Sequence, residues 1–448
     1  MSPVNFTHYI PFYRRNLRLA FPVVLSQIGQ VTVSLVDNMM VGHVGTTELA
    51  ASAFANSIFT IGMFFGMGIT YGITPLVGKA FGNRETDNVV QWLKNGTFTL
   101  LIVTFALALI MFGGYFLLPF MGQPADVMEL AGPYYLLLSA SIIPFMLFFS
   151  LKQFFEGIGN TKIAMQITLI SNAINVAVNY VLIFGKFGFP ELGLIGAGIG
   201  TLVSRIFMPL LYIIYIVWIP QFRRYFTLAR LQAYSKERIL SVLKIGIPIG
   251  FQLIVEVLTF SIGAVMMGWL GESPLAAHQV ALGLASFPYM ISVGISQAAT
   301  IRVSHQMGRN DFHSLRMAAF ASMHLVVVFM FVMGLIFVIG RNILPLMFTT
   351  DPHVVSITAQ LLIVAAIFQV FDGLQVVMLS SLRGMADVKI PMLIAFGAYM
   401  LIGIPTCYAL TFLLDFGPQG IWFGYLTGLG VAGIFFYFRF KYNVRERA

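Results

Sequence analysis

The sequence predicts an all-α membrane protein of about twelve transmembrane helices, in two six-helix lobes related by a pseudo-two-fold axis along the membrane normal. Three observations predict it. The 448-residue chain is 58% hydrophobic and only 10% charged, with a mean hydropathy of +0.87, too little charge to cover a soluble surface of that size. Apolar runs about twenty residues long, the length of a helix crossing about 30 Å of hydrocarbon, recur along the whole chain. The chain also aligns with itself at a shift of 226 residues.

The apolar runs are read at 17–42, 50–78, 95–121, 128–153, 162–185, 193–219, 243–270, 276–300, 316–342, 355–382, 389–413 and 418–438. Polar links with turn chemistry separate them, such as Gly122-Gln123-Pro124 and Gly417-Pro418. Residues 1–15 are polar and basic, and the first apolar run is long enough to remain as a span, so no separate signal peptide is expected.

The self-alignment places Pro22 on Pro248, Met40 on Met266, Gly42 on Gly268 and Gly45 on Gly271. Leu49-Ala50-Ala51 falls on Leu275-Ala276-Ala277, then Gly68 on Gly294 and Gly82 on Gly308. A shift of 227 continues the match, with Gly157 on Gly384 and Lys162 on Lys389. The expected organisation is an N-terminal lobe over 1–219, a cytoplasmic linker over 220–242 and a C-terminal lobe over 243–448. Six spans per half is an even number, so the halves are parallel repeats.

With both termini on one side, that side collects 23 of the 26 basic residues. They include Arg14, Arg15 and Arg18, the linker residues Arg223, Arg224, Arg230, Lys236 and Arg238, and Arg439, Lys441, Arg445 and Arg447. Lys186 and Arg341 fall on the other side, and Arg205 lies within a span without an evident partner. The positive-inside rule then makes both termini cytoplasmic. The net charge of +9 is therefore a topology signal, and no nucleic-acid partner is expected. The single Cys407 excludes an internal disulfide and a cysteine metal cluster. No HExxH or GxSxG pattern occurs, so no enzyme chemistry is expected. Gly196-Ala197-Gly198-Ile199-Gly200 lies inside an apolar span, and its glycines read as close helix packing.

An ionised group inside hydrocarbon costs several kcal/mol unless paired, hydrated or neutralised. Glu256 sits mid-span in QLIVEVLTF, Asp372 in IFQVFDGLQVV, and Asp37 about 7 Å from the end of the first span in VSLVDNMMVG. Carboxylates there suit a site alternating among a proton, a metal cation and a cationic substrate. Fastening neighbouring helices is the bland alternative. Asn175 and Asn179 lie one turn apart on one helix face, and either join helices or offer neutral oxygens to an ion held by Asp37.

These residues stand in recognisable surroundings. FPVVLSQIGQVTVSLVDNMMVGHVGTTELAA, QFFEGIGNTKIAMQITLISNAINVAVNYVLIFG and FDGLQVVMLSSLRGMAD resemble, in this order, the multidrug and toxic compound extrusion (MATE) family. The pairing of Glu256 with Asp372 resembles its NorM type. The resemblance implies an inner-membrane antiporter that exports lipophilic organic cations, xenobiotics among them, in exchange for Na⁺ or H⁺ by alternating access of two lobes. It implies coupling at Glu256, Asp372 and Phe368 in the C-terminal lobe, and at Asp37, Asn175, Asn179 and Thr201 in the N-terminal lobe. Na⁺ would bind at Glu256 and Asp372 or at Asp37, Asn175 and Asn179. The family's NorM-type tyrosine four residues before Asp372 is replaced by Phe368, which keeps a ring face for a cation and loses the hydroxyl. No cofactor beyond the coupling ion is implied. The expected partners are cationic lipophilic small molecules and membrane lipid, with the protein a monomer. A flippase for lipid-linked precursors, from the related superfamily, is the main alternative, and a channel or scaffold a lesser one.

Overall fold

The computed structural model describes residues 6–447. Among the described residues every regular element is helical, as hydrocarbon demands of backbone that must satisfy its own hydrogen bonds. Twelve helices are long and apolar enough to cross a membrane. They are span 1 (Thr7–Gly42), span 2 (Thr46–Gly82), span 3 (Thr86–Met121), span 4 (Ala125–Gly157), span 5 (Lys162–Ile183) and span 6 (Gly193–Trp218). The second half holds span 7 (Lys236–Leu270), span 8 (Glu272–Gly308), span 9 (Phe312–Gly340), span 10 (Pro352–Gly384), span 11 (Lys389–Leu413) and span 12 (Pro418–Glu446).

All twelve expected apolar runs are helices, most of them longer than the runs. Hydropathy marks where hydrocarbon ends, whereas a helix continues through polar residues until a cap or a turn stops it. Asp311 is one such cap: its carboxylate accepts from Ser314 N at 2.9 Å at the head of span 9. That bond holds the Asp311 carboxyl below the usual aspartate range. Arg447, counted above among the C-terminal basic residues, ends the last helix, and its side chain lies outside the described residues.

The 220–242 connector is mostly helical. Pro220–Leu231 forms a helix with proline in its first turn. Phe222 and Ala229 are buried while Arg223, Arg224 and Arg230 are exposed, so the segment is amphipathic. Span 7 then begins at Lys236, inside the expected connector.

By packing, the chain forms two compact units, Met1–Val24 with Phe251–Ala448, and Leu25–Gly250. These divisions differ from the 1–219 and 243–448 lobes because they fall inside spans 1 and 7. Close approaches of small residues occur within each unit. In the Leu25–Gly250 unit, a Cβ on Gly68 would overlap the backbone of Gly250. In the other unit, a Cβ on Gly294 would overlap Val24. Gly68 and Gly294 are repeat mates, and so are residues 24 and 250, so one helix approach is built twice. Span 4 and its repeat mate span 10 are among the most enclosed helices of their units, whereas span 12 is more enclosed than its mate, span 6.

Span 11 departs from regular α geometry. It carries π-helical turns at Gly397–Gly403 and Ala409–Leu413, on either side of Ile404–Tyr408 with Pro405 in its first turn. Proline lacks the N–H that an α-helix would use and crowds the preceding turn. Wide turns of this kind often occur where a helix serves a site.

Gly68→Ala should destabilise the protein by about 1–3 kcal/mol, the cost of forcing atoms into a packed contact. Gly113, whose added Cβ would meet nothing within 4 Å, supplies the control. Thermal unfolding in detergent should show a lowered midpoint for Gly68→Ala and none for Gly113→Ala.

Candidate functional site

The unit that includes residues 251–448 brings Glu256 and Asp372 into one electrostatic cluster with Tyr289, Tyr399 and Arg383. Glu256, on span 7, accepts a hydrogen bond from Tyr289 Oη of span 8 at 3.2 Å. One turn earlier on span 7, Gln252 Oε1 accepts from Arg383 Nη2 of span 10 at 3.1 Å. The Arg383 guanidinium thus acts electrostatically on the Glu256 carboxylate. Asp372 is only 6% exposed. It accepts from Gln375 Nε2 at 3.4 Å, and Gln375 Oε1 accepts from Tyr399 Oη at 2.9 Å. Tyr399 belongs to the π-helical turn of span 11, so the irregular backbone delivers a hydroxyl to the acid cluster.

A narrow pocket adjoins it, lined by Glu256, Thr259, Phe260, Tyr399 and Tyr425 among others. Phe368 is buried near its wall. Its ring meets Phe260 at 6.4 Å and Trp422 at 5.3 Å, both edge-on. Trp422 Nε1 donates to His278 Nδ1 at 3.2 Å. Phe368 thus packs within an aromatic wall, and the hydroxyl groups around the acids come from Tyr289 and Tyr399.

The Leu25–Gly250 unit assembles the second set. Asn179 Nδ2 donates to Asp37 Oδ1 at 2.7 Å and to Asn175 Oδ1 at 3.3 Å. Asn175 Nδ2 reaches Ser204 Oγ at 3.5 Å. With its amide turned over, Asn175 donates instead to Asp37 Oδ1 at 2.8 Å. Asp37, Asn175 and Asn179 are therefore one hydrogen-bonded group. Thr201 enters through its backbone: its carbonyl accepts from Ser204 Oγ at 2.9 Å. Gly200 makes the arrangement sterically feasible, because a Cβ there would overlap Asn179 Oδ1. The expected packing role of the glycine-rich stretch holds at all three glycines, since a Cβ on Gly196 would overlap the Leu182 backbone and one on Gly198 the Leu137 side chain.

Arg205, unassigned from the sequence, has a defined setting. Its guanidinium lies 4.4 Å from the Phe145 ring centroid and 4.9 Å from that of Phe59. Its Nη1 donates to Ser141 Oγ at 2.7 Å, and Asp37 is a charge that acts on it. A groove beside this set, between spans 1 and 5, is mostly apolar, with Thr32, Asn172 and Tyr180 on its walls.

Tyr289, Gln375, Arg383, Tyr399 and Arg205 are the members that sequence reasoning left out of the sites. Gln375 was accessible, since a residue three positions after Asp372 shares its helix face. Arg383 shares span 10 with Asp372, and Arg205 follows the site residue Thr201 by four positions on span 6. Tyr289 and Tyr399 arrive from other spans and leave no spacing signal.

The MatE family profile matches residues 22–181 and again 248–409, two matches that begin 226 residues apart. The chain belongs to the MATE family. It is 34% identical over 433 residues to a probable multidrug resistance protein NorM of Rhizobium meliloti, covering 96% of this chain and 93% of that protein. It is 36% identical over 434 residues to a protein of the same description from Rhodopseudomonas palustris, covering 96% and 92%. Among solved structures, a eukaryotic MATE transporter, AtDTX14, superposes with a TM-score of 0.85 at 22% identity over 98% of each chain. The Vibrio cholerae MATE transporter VcmN in its bent form gives 0.88 at 18%, over 98% of this chain and 99% of that one. The chain is thus a multi-pass membrane protein with the MATE fold and of NorM type.

Gly200→Ala should push the Asn179 amide off Asp37. A hydrogen bond to a charged group is worth about 1.5–3 kcal/mol, and thermal unfolding should fall accordingly. Combining Gly200→Ala with Asn179→Ala should cost less than the sum of the two single changes, because the second change removes the overlap.

Proposed function

We propose that this protein is a multidrug efflux antiporter of the inner membrane that exports lipophilic organic cations in exchange for Na⁺ or H⁺. The observation that carries the reading is the placement of Glu256 and Asp372. Two acids share one membrane-embedded cluster with hydroxyl, amide and guanidinium groups, beside a pocket walled by aromatic rings. That the NorM relatives are described as multidrug resistance proteins supports the same reading. Nothing in the reading calls for catalysis or a resident cofactor.

Two acids close together in hydrocarbon repel when both are ionised, and each gains when a cation or proton arrives. A planar cation would use the aromatic faces and one carboxylate. A proton, or Na⁺ held by carboxylate and neutral oxygens, would occupy the same acids and displace it. The ion and the drug then prefer different arrangements of the two halves, which is what coupling requires. Asp37 with Asn175, Asn179 and Thr201 would be a second cation-responsive set, with Na⁺ or a proton on Asp37. Both termini would face the cytoplasm, following the basic residues.

Ethidium transport into proteoliposomes, under an imposed Na⁺ gradient and separately a pH gradient, tests the proposal. One gradient should drive transport in the parent. Glu256→Gln and Asp372→Asn should each reduce the driven rate at least about tenfold, the loss expected from one charge-assisted contact. Asp37→Asn reads the contribution of the other unit. Equal driven transport in the parent and the Glu256→Gln and Asp372→Asn proteins would contradict the assignment.

A further inference from the structure

Outside both clusters, a buried guanidinium has no counter-charge among the described residues. Arg302 lies on span 8 in the stretch IRVSHQMGRN, six residues before the helix ends at Gly308, roughly 9 Å at 1.5 Å per residue. Its side chain is 9% exposed. Its Nε and Nη2 have no hydrogen-bond partner. The charged groups that act on it most are Arg15 and Arg309, both positive and both exposed. The ion pairs found among the described residues are Lys152–Glu156 and Arg439–Asp387, and neither involves Arg302.

Local structure holds the three arginines in place. Asn16, next to Arg15, is buried and donates to Ala318 O at 2.9 Å and to Ser322 Oγ at 2.8 Å on span 9. This fixes the first turns of span 1 in the unit that contains Arg302. Arg309 follows the last residue of span 8 directly. The nearest acid in sequence, Asp311, caps span 9 and acts on Arg309, and it is not among the charges that act on Arg302. Helix-end carbonyls favour cations only within the last turn, and Arg302 lies further back. Gln306, one turn on, has a buried Oε1 that also lacks a partner, an acceptor that a ligand hydroxyl or water can meet.

A buried, uncompensated charge is strongly unfavourable, and two like charges beside it add to the penalty. A planar guanidinium with free Nε–H and Nη–H groups matches two oxygens of a tetrahedral oxyanion. We propose that Arg302, with Arg15 and Arg309, forms a binding site for a phosphate group at the end of the unit where span 1 begins. Its depth of under two turns from the helix end suits the headgroup of an anionic phospholipid as well as a free phosphate ion. The site is no part of the repeated scaffold, since Leu76 and Asn83 stand at the mates of Arg302 and Arg309. It is independent of the drug and ion clusters, so it stands or falls apart from the transport reading.

The test is thermal unfolding of the full chain in neutral detergent. The probes are sodium phosphate against sodium chloride at equal ionic strength, and micelles with phosphatidylglycerol against phosphatidylcholine. In the parent, phosphate, phosphatidylglycerol or both should raise the midpoint saturably, with chloride and phosphatidylcholine without effect. A response to phosphate alone identifies a free-ion site, and a response only to phosphatidylglycerol identifies a headgroup site. Arg15→Gln and Arg309→Gln should raise the half-saturating concentration about tenfold. Arg302→Met should abolish the response. If Arg302→Met fails to fold, the two exposed substitutions decide. No difference between probe and control in the parent, or an unchanged half-saturation in both exposed variants, would overturn the proposal.

Discussion

Everything in this structure follows from the need to satisfy backbone hydrogen bonds inside hydrocarbon. That constraint makes each crossing a helix, and it makes every departure from regular helix informative. The clearest departure is in span 11, where π-helical turns surround Pro405. There the wide turn carries Tyr399, whose hydroxyl reaches Gln375 and through it Asp372. The local defect in one helix thus belongs to the polar cluster of its unit.

A duplicated scaffold carries different chemistry in its two copies. The Gly68–Gly250 approach recurs as Gly294 against Val24, yet the acids do not recur. Glu256 corresponds to Gln30, and Asp37 to Gly263. At Gly263 the space a side chain would need is taken by the Tyr425 hydroxyl. Asp372 corresponds to Phe145, the ring against which Arg205 lies. One unit therefore gathers two carboxylates with hydroxyls and an arginine, while the other holds a single carboxylate among amides. Packing glycines are kept by the geometry of helix approach, whereas polar residues in the spans are free to diverge with their task.

The sequence made the twelve spans and the repeat legible because both are local or periodic signals. Twenty apolar residues announce a crossing, and a fixed shift announces duplication. Helix ends were less legible, since Lys236 extends span 7 into what reads as a connector. The acids were readable because charge is rare in hydrocarbon, and the contact of Asn175 and Asn179 with Asp37 follows their shared helix face. Tyr289 was hidden because its hydroxyl meets Glu256 from another helix. A tyrosine in an apolar span carries no sign of which residue it faces. Phe368 shows the converse: a substitution conspicuous beside a family pattern sits in an aromatic wall, with hydroxyls supplied from spans 8 and 11.

The proposed antiport has cations and protons competing for the Glu256–Asp372 cluster. The direct measurement is proton release when tetraphenylphosphonium binds the purified protein in weakly buffered detergent solution, repeated with Na⁺ present. Competition requires that binding releases protons or is competitively weakened by Na⁺, and that the Glu256→Gln/Asp372→Asn double variant loses that linkage. Proton release and Na⁺ competition unchanged in the double variant would contradict it.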